Sequence, residues 1–235
     1  MRSDMRDPNL EQLDAVAKLL EPLLDEIVFI GGCTTGLLIT DQAVPNVRPT
    51  FDVDVITGAS YTEYGVLSEK LCSLGLRHDT REDAPICRWQ YGSLQIDVMP
   101  TEEKILGFSN RWYREAILAA QEVQLPTDRR IRAITAPYFV ATKLEAFKNR
   151  GKGDFAASHD LEDVIAVIDG RPETIDEISR SSAEVKTYLS GEMKRLLQLE
   201  AFIDALPGKL LPDAASQQRL SLLLTRLGNL ASIEE

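Results

Sequence analysis

The sequence predicts an α+β fold, in which a small mixed β-sheet flanked by helices is followed by a helical C-terminal part. Strand-like segments are concentrated between residues 27 and 99, whereas the chain after residue 134 has almost only helical patterns. A run of strands followed by a run of helices is typical of the α+β class. With 235 residues, of which 44% are apolar, the chain can bury one large core or two small ones. We place a domain boundary near residue 130, which gives domains of residues 1–130 and 131–235.

Helical and extended patterns alternate in the first domain. Apolar residues at helical spacing predict a helix over Leu10–Leu24, in which Pro22 is placed to kink or end the helix. The apolar run Ile27–Ile30 predicts a short strand that stops at Gly31-Gly32, and a short helix follows within Cys33–Thr40. The next predicted elements are a strand at Phe51–Ile56, a helix at Tyr61–Leu74, and the strands Ile86–Tyr91 and Leu94–Met99, joined by a turn at Gly92-Ser93.

Strand patterns become scarce after Pro100. A helix is predicted around Trp112–Gln121, and a short extended stretch near Ile131–Ile134. The remaining chain is predicted to form the helices Tyr138–Arg150, Leu161–Ile168, Glu173–Ser182, Val185–Leu206 and Ala214–Leu230.

The charge balance argues against loose binding to nucleic acid. Lys and Arg number 26 and Asp and Glu number 37, so the net charge of −11 opposes sequence-independent attraction to a phosphate backbone. A contact with RNA would therefore need a local basic patch. The candidate patches are Lys148, Arg150 and Lys152, and separately Arg129, Arg130 and Arg132. The first group also fits the solvated C-terminal end of a helix, where positive charge is favourable.

Cysteine usage and the first residues predict a cytoplasmic protein. Cys33, Cys72 and Cys87 are few, odd in number and not paired at the spacing of a zinc site or a disulfide framework. The polar stretch Met1–Pro8 is followed by no apolar run long enough for a signal peptide or a membrane span. We therefore expect a soluble protein of the reducing cytosol, with no membrane partner.

Two aspartates on the strand Phe51–Ile56 carry the main functional signal. Asp52 and Asp54 alternate with apolar residues, so their side chains share one face of the strand. Two like charges about 4 Å apart repel by roughly 4 kcal/mol at an effective dielectric constant near 20, so a cation between them is expected. Carboxylate ligands suit Mg²⁺, and Asp97 on a separate strand supplies a third acid, enough for two metal ions. The alternative is an ordinary edge strand with a solvated polar face.

The glycine pair Gly31-Gly32 adds a feature that suits a phosphate. Backbone without a Cβ can approach an anion closely, and the amides at the start of the following helix point toward it. The hydroxyl of Thr34, with that of Thr35, adds hydrogen-bond donors. Together with the aspartates, these residues predict a site for a metal-bound nucleoside triphosphate held for in-line attack. The glycines alone are a weak signal, since many strands end at glycine.

These residues resemble the hallmark of the nucleotidyltransferase superfamily of the DNA polymerase β type: a glycine pair, a short helix, Asp-x-Asp and a later acidic strand. More narrowly, the stretches Arg48–Asp54, Lys143–Ala146 and His159–Asp163 look like the AbiEii and MenT toxin branch, which is associated with type IV toxin–antitoxin systems and phage defence. The resemblance implies a transferase that uses a nucleoside triphosphate and Mg²⁺. Some members of that branch add nucleotides to the 3′ end of tRNA.

Three further residues are candidates for the site. Lys143 falls inside the apolar stripe of its helix, so its ammonium group needs an anion unless the side chain snorkels to water. The resemblance directs Lys143 at the triphosphate and makes Asp160 a functional acid that orients Lys143 or a substrate group. Asp160 also fits a helix N-cap, with Asp163 as a structural residue. Arg48 either contacts phosphate or pairs with the aspartates.

The expected function is Mg²⁺-dependent transfer of a nucleoside monophosphate to an acceptor hydroxyl, the 3′ end of tRNA, by a toxin or phage-defence protein. Residues 1–130 would form the nucleotidyltransferase core, and residues 131–235 would complete the active site. In this assignment Asp52, Asp54 and Asp97 hold metal, Asp97 helps to deprotonate the acceptor, Gly31, Gly32 and Thr34 hold phosphates, and Lys143 neutralises them. The alternatives are transfer to a small molecule or protein, and a non-catalytic nucleotide-binding module. A cognate antitoxin is a candidate partner.

Overall fold

A computed structural model describes residues 7–44, 47–151 and 153–233. The chain forms two compact units: one combines the residues up to Gly36 with Arg48–Thr135, and the other combines Leu37–Val47 with the residues from Ala136 onward. The strands are β1 (Val28–Ile30), β2 (Asp52–Thr57), β3 (Arg77–His78), β4 (Arg88–Tyr91), β5 (Leu94–Pro100), β6 (Gln121–Gln124) and β7 (Arg130–Ala133). The helices are α1 (Pro8–Leu19), α2 (Thr35–Leu38), α3 (Tyr61–Ser73), α4 (Glu103–Leu106), α5 (Tyr113–Leu118), α6 (Ala136–Arg150), α7 (His159–Gly170), α8 (Thr174–Ser179), α9 (Ala183–Leu197), α10 (Glu200–Ala205), α11 (Ala214–Gln218) and α12 (Leu220–Ala231).

The first unit is built on one mixed sheet. In the described part of the chain its seven strands have the order β3-β4-β5-β2-β1-β7-β6. The central pairs β2–β5 and β1–β7 are parallel, and the pairs β1–β2, β4–β5, β3–β4 and β6–β7 are antiparallel. Val53, Val55, Ile96 and Val98 on the two central strands are fully buried. The α+β prediction is therefore confirmed, and the predicted acidic strands lie at the centre of the sheet.

Local sequence signals define the helices of the first unit. Asp7 caps α1 by accepting a hydrogen bond from the backbone N–H of Asn9, and Pro8 occupies the first turn. A 3₁₀ turn that contains Pro22 follows α1, so the helix ends before Leu24. Ser60 and Glu63 form a reciprocal capping box at the start of α3. Helix α1 contacts β2 and β5, and α5 contacts β2, so helices cover the central strands.

The second unit is helical. Helix α6 packs against α7 and α9, and α12 packs against α7 and α9, around fully buried side chains such as Phe139, Val164, Leu189 and Leu223. Segment 37–47 belongs to this unit because the backbone N–H groups of Thr40 and Asp41 both donate to the carbonyl of Gly170. Arg219 joins the same network by donating to Asp41 and to Asp169.

Two predicted helices are each broken in two. The predicted helix Val185–Leu206 is interrupted at Leu199, whose backbone is extended (φ −97°, ψ 113°). The predicted helix Ala214–Leu230 is interrupted at Arg219, the residue that binds Asp169. Apolar periodicity continues across both breaks, because Leu196, Phe202 and Leu223 are all buried. The sequence pattern therefore could not mark them.

Polar edge elements were missing from the prediction. β3 and β6 form the two edges of the sheet, and most of their side chains are exposed, so they lack the apolar alternation that predicts a strand. The helix predicted to extend to Gln121 ends at Leu118, and residues 121–124 form β6 instead. The short helix α4 was also not predicted. Among the described residues, no helix combines the length and apolar character needed to cross a membrane.

Candidate active site

The three aspartates lie on the two central parallel strands of the first unit. Strands β2 and β5 pair so that Asp52 is beside Gln95 and Asp54 is beside Asp97. Side chains at paired positions of neighbouring strands stand on the same face of the sheet, so the three carboxyl groups share one face. Asp97 is buried, with 6% of its surface exposed, whereas the Asp52 side chain is 34% exposed.

Asp54 lies directly over the glycine turn. β1 pairs with β2 through Ile30 and Asp54, so the turn that begins at Gly31 is next to the acidic strand. Gly31 has a φ of +77°, and a Cβ at this position would lie 1.8 Å from Oδ2 of Asp54. Glycine is therefore required at position 31 for two reasons: its backbone conformation is strained for other residues, and the carboxylate of Asp54 fills the space that a side chain would need. A 3₁₀ turn, Gly32–Thr34, continues into α2.

The two threonines of this turn have different environments. Thr34 donates its hydroxyl hydrogen to the carbonyl oxygen of Gly31 at 2.8 Å, so in this structure that donor closes the turn and does not face a ligand. The hydroxyl of Thr35 is buried and has no hydrogen-bond partner among the described residues. A buried hydroxyl without a partner costs free energy unless another group supplies one. Thr35 is therefore a better candidate donor than the predicted Thr34.

Arg88 joins two of the aspartates and was not predicted as a site residue. Its Nε and Nη2 atoms donate to Oδ1 and Oδ2 of Asp97 at 2.7 and 2.8 Å, and Nη2 also donates to Oδ2 of Asp52 at 2.6 Å. Its Nη1 donates to Oε1 of Gln95 at 3.0 Å. The signal was available in the sequence: counting back from the turn at Gly92-Ser93 pairs Arg88 with Asp97, as observed.

Burial and charge act in opposite directions on Asp97. Burial raises the pKa of Asp97 above its usual range, and the hydrogen bonds and charge of Arg88 partly oppose that rise. The same contacts raise the pKa of Arg88, so this guanidinium stays charged. Arg88 thus keeps the buried carboxylate closer to its ionised form.

The carboxylate oxygens of the three aspartates suit Mg²⁺ as ligands, but Arg88 holds two of the carboxylates in their present positions. Three carboxylates on neighbouring strands form an oxygen-only ligand set of the kind that Mg²⁺ prefers. Across residues 7–44, 47–151 and 153–233, however, no three His, Cys, Asp or Glu side chains are placed to hold a metal ion together. The guanidinium of Arg88 already binds both oxygens of Asp97 and one of Asp52. The three carboxylates therefore supply the kind of oxygen ligands that Mg²⁺ prefers, and a cation bound to Asp97 would lie next to the positive charge of Arg88.

Arg48 was predicted to contact phosphate or the aspartates. Its Nη1 atom donates to the carbonyl of Pro49 at 3.2 Å, and its own carbonyl accepts a hydrogen bond from Nδ2 of Asn9. Asn9 is buried and also accepts from the backbone N–H of Thr50, so it fixes the segment that leads into β2. These contacts hold the segment that precedes the acidic strand β2.

Lys143 and Asp160 belong to an ion-pair cluster in the second unit. Nζ of Lys143 lies 2.7 Å from Oδ2 of Asp163 and 3.4 Å from Oδ1 of Asp160. Arg150 donates two hydrogen bonds to Asp160, at 2.8 and 2.7 Å. The Lys143 side chain is 13% exposed, so its ammonium is paired with carboxylates inside the unit and does not reach water by snorkelling.

The pKa of Asp160 reflects these contacts. Burial by itself would raise it, but the hydrogen bonds from Arg150 and the charges of Lys143 and Arg150 outweigh burial and hold the pKa below its usual value. The alternative interpretation of Asp160 as the helix N-cap is wrong, because Ser158 is the N-cap residue and accepts from the backbone N–H of Leu161. Asp160 lies in the first turn of α7, where a negative charge is favourable.

Most of the predicted basic patches are used in contacts within the protein. Arg150 binds Asp160, and Lys148 pairs with Glu192 at 3.1 Å, whereas Lys152 lies outside the described residues. In the other group, Arg129 pairs with Glu21, Arg130 with Glu122, and Arg132 donates to the carbonyl of Ile117. These pairs reduce the positive charge that either group offers to a polyanion.

Comparisons with known proteins identify the fold. No protein-family model matches the chain, and no curated protein matches it. Among solved structures, it resembles an antigenic nucleotidyltransferase-like protein from Paracoccidioides brasiliensis, with 18% identity and a TM-score of 0.52 over 85% of this chain and 93% of that chain. JHP933 from Helicobacter pylori matches with 14% identity and a TM-score of 0.47 over 97% of this chain and 92% of that chain. The first similarity shows that this chain has a nucleotidyltransferase-like fold.

Proposed function

We propose that this nucleotidyltransferase-like chain is an Mg²⁺-dependent nucleotidyltransferase, which transfers a nucleoside monophosphate from a nucleoside triphosphate to an acceptor hydroxyl. The observation that carries the proposal is the placement of Asp52, Asp54 and Asp97 on one face of adjacent strands, with Asp54 against the Gly31 turn. Fold similarity alone does not establish an activity, so the argument depends on these side chains.

The proposed reaction assigns a task to each part of the site. The acceptor oxygen attacks the α-phosphorus, the bond from that phosphorus to the bridging oxygen breaks, and pyrophosphate leaves with the electron pair. Asp97 accepts the proton of the attacking hydroxyl, since it is the most buried of the three carboxyl groups. The backbone at Gly31 and Gly32 approaches the phosphates. Mg²⁺, when bound, supplies positive charge to the triphosphate and the attacking oxygen.

We further propose that the acceptor is RNA, specifically the 3′ end of tRNA, and that the protein is a cytoplasmic toxin or phage-defence factor. The support is the resemblance of Arg48–Asp54, Lys143–Ala146 and His159–Asp163 to the AbiEii and MenT branch. Lys143 and Asp160 are then candidate contacts for the nucleotide or acceptor, and Arg48 is a candidate phosphate contact. An antitoxin protein would be the natural partner of such an activity.

A second candidate is transfer to a small molecule or to a protein hydroxyl. It is favoured by the net charge of −11 and by the ion pairs that engage Arg129, Arg130, Lys148 and Arg150. A site that accepts a small molecule does not need an extended basic surface, whereas binding to a long RNA backbone does.

One labelling experiment separates these candidates. The protein is incubated with Mg²⁺, total cellular RNA, a cell extract, and each nucleoside triphosphate labelled at the α-phosphate. Label in the tRNA fraction supports RNA as acceptor, and label in a small molecule or protein supports the second candidate. Absence of transfer with all nucleotides contradicts enzymatic function and leaves a nucleotide-binding module.

The matched variants are Asp54→Ala and Asp83→Ala. Asp54 faces the glycine turn, whereas Asp83 is exposed in the loop before β4. We expect Asp54→Ala to abolish nucleotide transfer. Its free energy of unfolding in metal-free buffer should equal or exceed that of the wild type, because the substitution relieves carboxylate repulsion. Asp83→Ala should retain activity. Unchanged turnover in Asp54→Ala would contradict the assignment of this face as the active site.

A further inference from the structure

Arg88 is held by side chains from β2 and β5 at the same time. Its guanidinium donates to both oxygens of Asp97, to Oδ2 of Asp52 and to Oε1 of Gln95, at distances of 2.6 to 3.0 Å. All three guanidinium nitrogens are used, and the side chain is only 16% exposed. A planar guanidinium bound at so many points is fixed in position more firmly than a single surface ion pair.

The strand register explains why Arg88 reaches these partners. β4 and β5 are antiparallel with Arg88 opposite Asp97, and β5 and β2 are parallel with Gln95 beside Asp52. These four residues therefore stand on one face of three consecutive strands. No loop rearrangement is needed to form the contacts, because regular pairing already places the side chains together.

This arrangement places a cation between two of the three carboxylates. Asp52 and Asp97 would repel each other on a half-buried face, and the single positive charge of Arg88 compensates one of their two negative charges. A divalent cation that binds the same carboxylates would bring its own positive charge beside the guanidinium. Arg88 donates to both oxygens of Asp97, so a divalent cation on that carboxylate would lie next to the guanidinium and repel it.

We propose that Arg88 is a built-in counterion that holds Asp52 and Asp97 in the metal-free protein and leaves Asp97 when a divalent cation binds there. Arg88 is thus a positioning residue that keeps the carboxylates in place and lowers their affinity for free metal. This inference rests on the proposed function, because that function supplies the metal. Metal delivered together with the triphosphate would compete better than free metal, since the phosphates offer Arg88 a new anionic partner.

The test measures binding of Mn²⁺ alone, by its electron paramagnetic resonance signal, to the full-length protein and its variants. We expect Arg88→Gln to bind Mn²⁺ about tenfold more tightly than the wild type, a change within the usual range for coupled sites. Arg180→Gln is the matched control, since Arg180 lies in the helical unit, is 77% exposed and pairs with Asp176 at 3.8 Å. Adding Asp97→Asn to Arg88→Gln should remove the gain, which shows that the bound ion uses Asp97.

Equal affinity in the wild type and Arg88→Gln would overturn the proposal, as would weaker binding in the folded variant. A gain that survives Asp97→Asn would also overturn it. If Arg88→Gln does not fold, nuclear magnetic resonance of the wild type gives the answer: the Nε–H signal of Arg88 should shift on adding Mg²⁺, and an unchanged signal at saturating Mg²⁺ would contradict displacement. Transfer of labelled nucleotide is measured in a separate experiment. A negative result in the Mn²⁺-binding test therefore contradicts the role of Arg88 and does not decide whether the protein transfers nucleotides.

Discussion

Gly31 and Asp54 fit each other so closely that no side chain can be added between them. A Cβ on Gly31 would lie 1.8 Å from Oδ2, 2.6 Å from Cγ and 2.8 Å from Cβ of Asp54. Turning the carboxylate away would not relieve the contact, because the Cβ of Asp54 is itself too near. The glycine turn and the acidic strand are therefore one structural unit, joined at the pairing of Ile30 with Asp54.

We predict that Gly31→Ala destabilises the protein and abolishes nucleotide transfer. The backbone of Gly31 (φ +77°, ψ −172°) lies in a region that only glycine adopts readily and costs an alanine about 1–3 kcal/mol, and displacement of Asp54 adds to that loss. Gly65→Ala is the control, because Gly65 lies inside α3 with nothing within 4 Å of the added methyl group. It should stabilise the protein by about 0.5–1 kcal/mol. Urea unfolding of both variants checks the opposite signs, and an unchanged stability of Gly31→Ala would contradict the contact.

The central strands could be predicted because their residues follow simple alternation. Val53 and Val55 are buried and alternate with the half-buried aspartates of β2, and the two-residue turn at Gly92-Ser93 fixes how β4 and β5 pair. The strand predicted at Phe51–Ile56 is observed as β2 at Asp52–Thr57, shifted by one residue at each end. The shared face of Asp52 and Asp54 follows directly from the period of two in a strand.

Other features depend on packing that a single sequence does not reveal. That β2 lies beside β5 in parallel, and so brings Asp52 within reach of Arg88, is a property of the sheet order. Likewise, Lys143 needs an anion because of its apolar stripe, but the choice of Asp163 as its nearest partner comes from the packing of α6 on α7. Local patterns define elements, whereas contacts between distant elements define the partners of charged side chains.

We predict that Lys143→Met is much more destabilising than Lys148→Met. Lys143 is 13% exposed and compensates the buried acids Asp160 and Asp163, so its loss should cost about 3–5 kcal/mol. Lys148 is 37% exposed and pairs with Glu192, and such a pair contributes about 0–1 kcal/mol. Nζ of Lys143 lies 5.9 Å from the ring centre of Phe139, and Nζ of Lys148 lies 5.2 Å from that of Tyr188. Each variant therefore also loses one contact between an ammonium group and an aromatic ring. Urea unfolding measures the difference.

The same two variants test a role for Lys143 in nucleotide binding. If Lys143 neutralises the triphosphate, the folded Lys143→Met protein should need a higher nucleotide concentration for half-maximal transfer, with Lys148→Met unchanged. A normal nucleotide dependence in Lys143→Met would show that this lysine acts only in stabilising the helical unit.

We predict that one of the three cysteines reacts rapidly with a thiol reagent in the native protein. Cys72 is exposed, whereas Cys33 and Cys87 are buried. Burial and the nearby carboxylates of Asp97 and Asp54 raise the pKa of Cys87 to about 12, so little of this thiol is ionised at pH 8. Absorbance after adding Ellman's reagent should report one fast thiol, and all three in denaturant. Cys72→Ser should remove the fast phase; a second fast thiol would contradict the burial of Cys87.

The acid sensitivity of the helical unit should depend on Asp160. Its pKa in the folded protein lies below its unfolded value, because Arg150 and Lys143 outweigh the effect of burial. The folded state therefore holds the proton less tightly, so the contribution of Asp160 to stability is present above about pH 4 and is lost as the pH falls through its folded pKa. We expect Asp160→Asn to lower the free energy of unfolding by about 2 kcal/mol at pH 7, because hydrogen bonds to a charged group are lost, and by much less at the lowest pH where the protein stays folded. Asp176→Asn is the control, since the Asp176 side chain is 75% exposed and lies 3.8 Å from Arg180. Urea titrations at a series of pH values measure both variants, and a constant difference between the wild type and Asp160→Asn would show that the pKa of Asp160 is not lowered by folding.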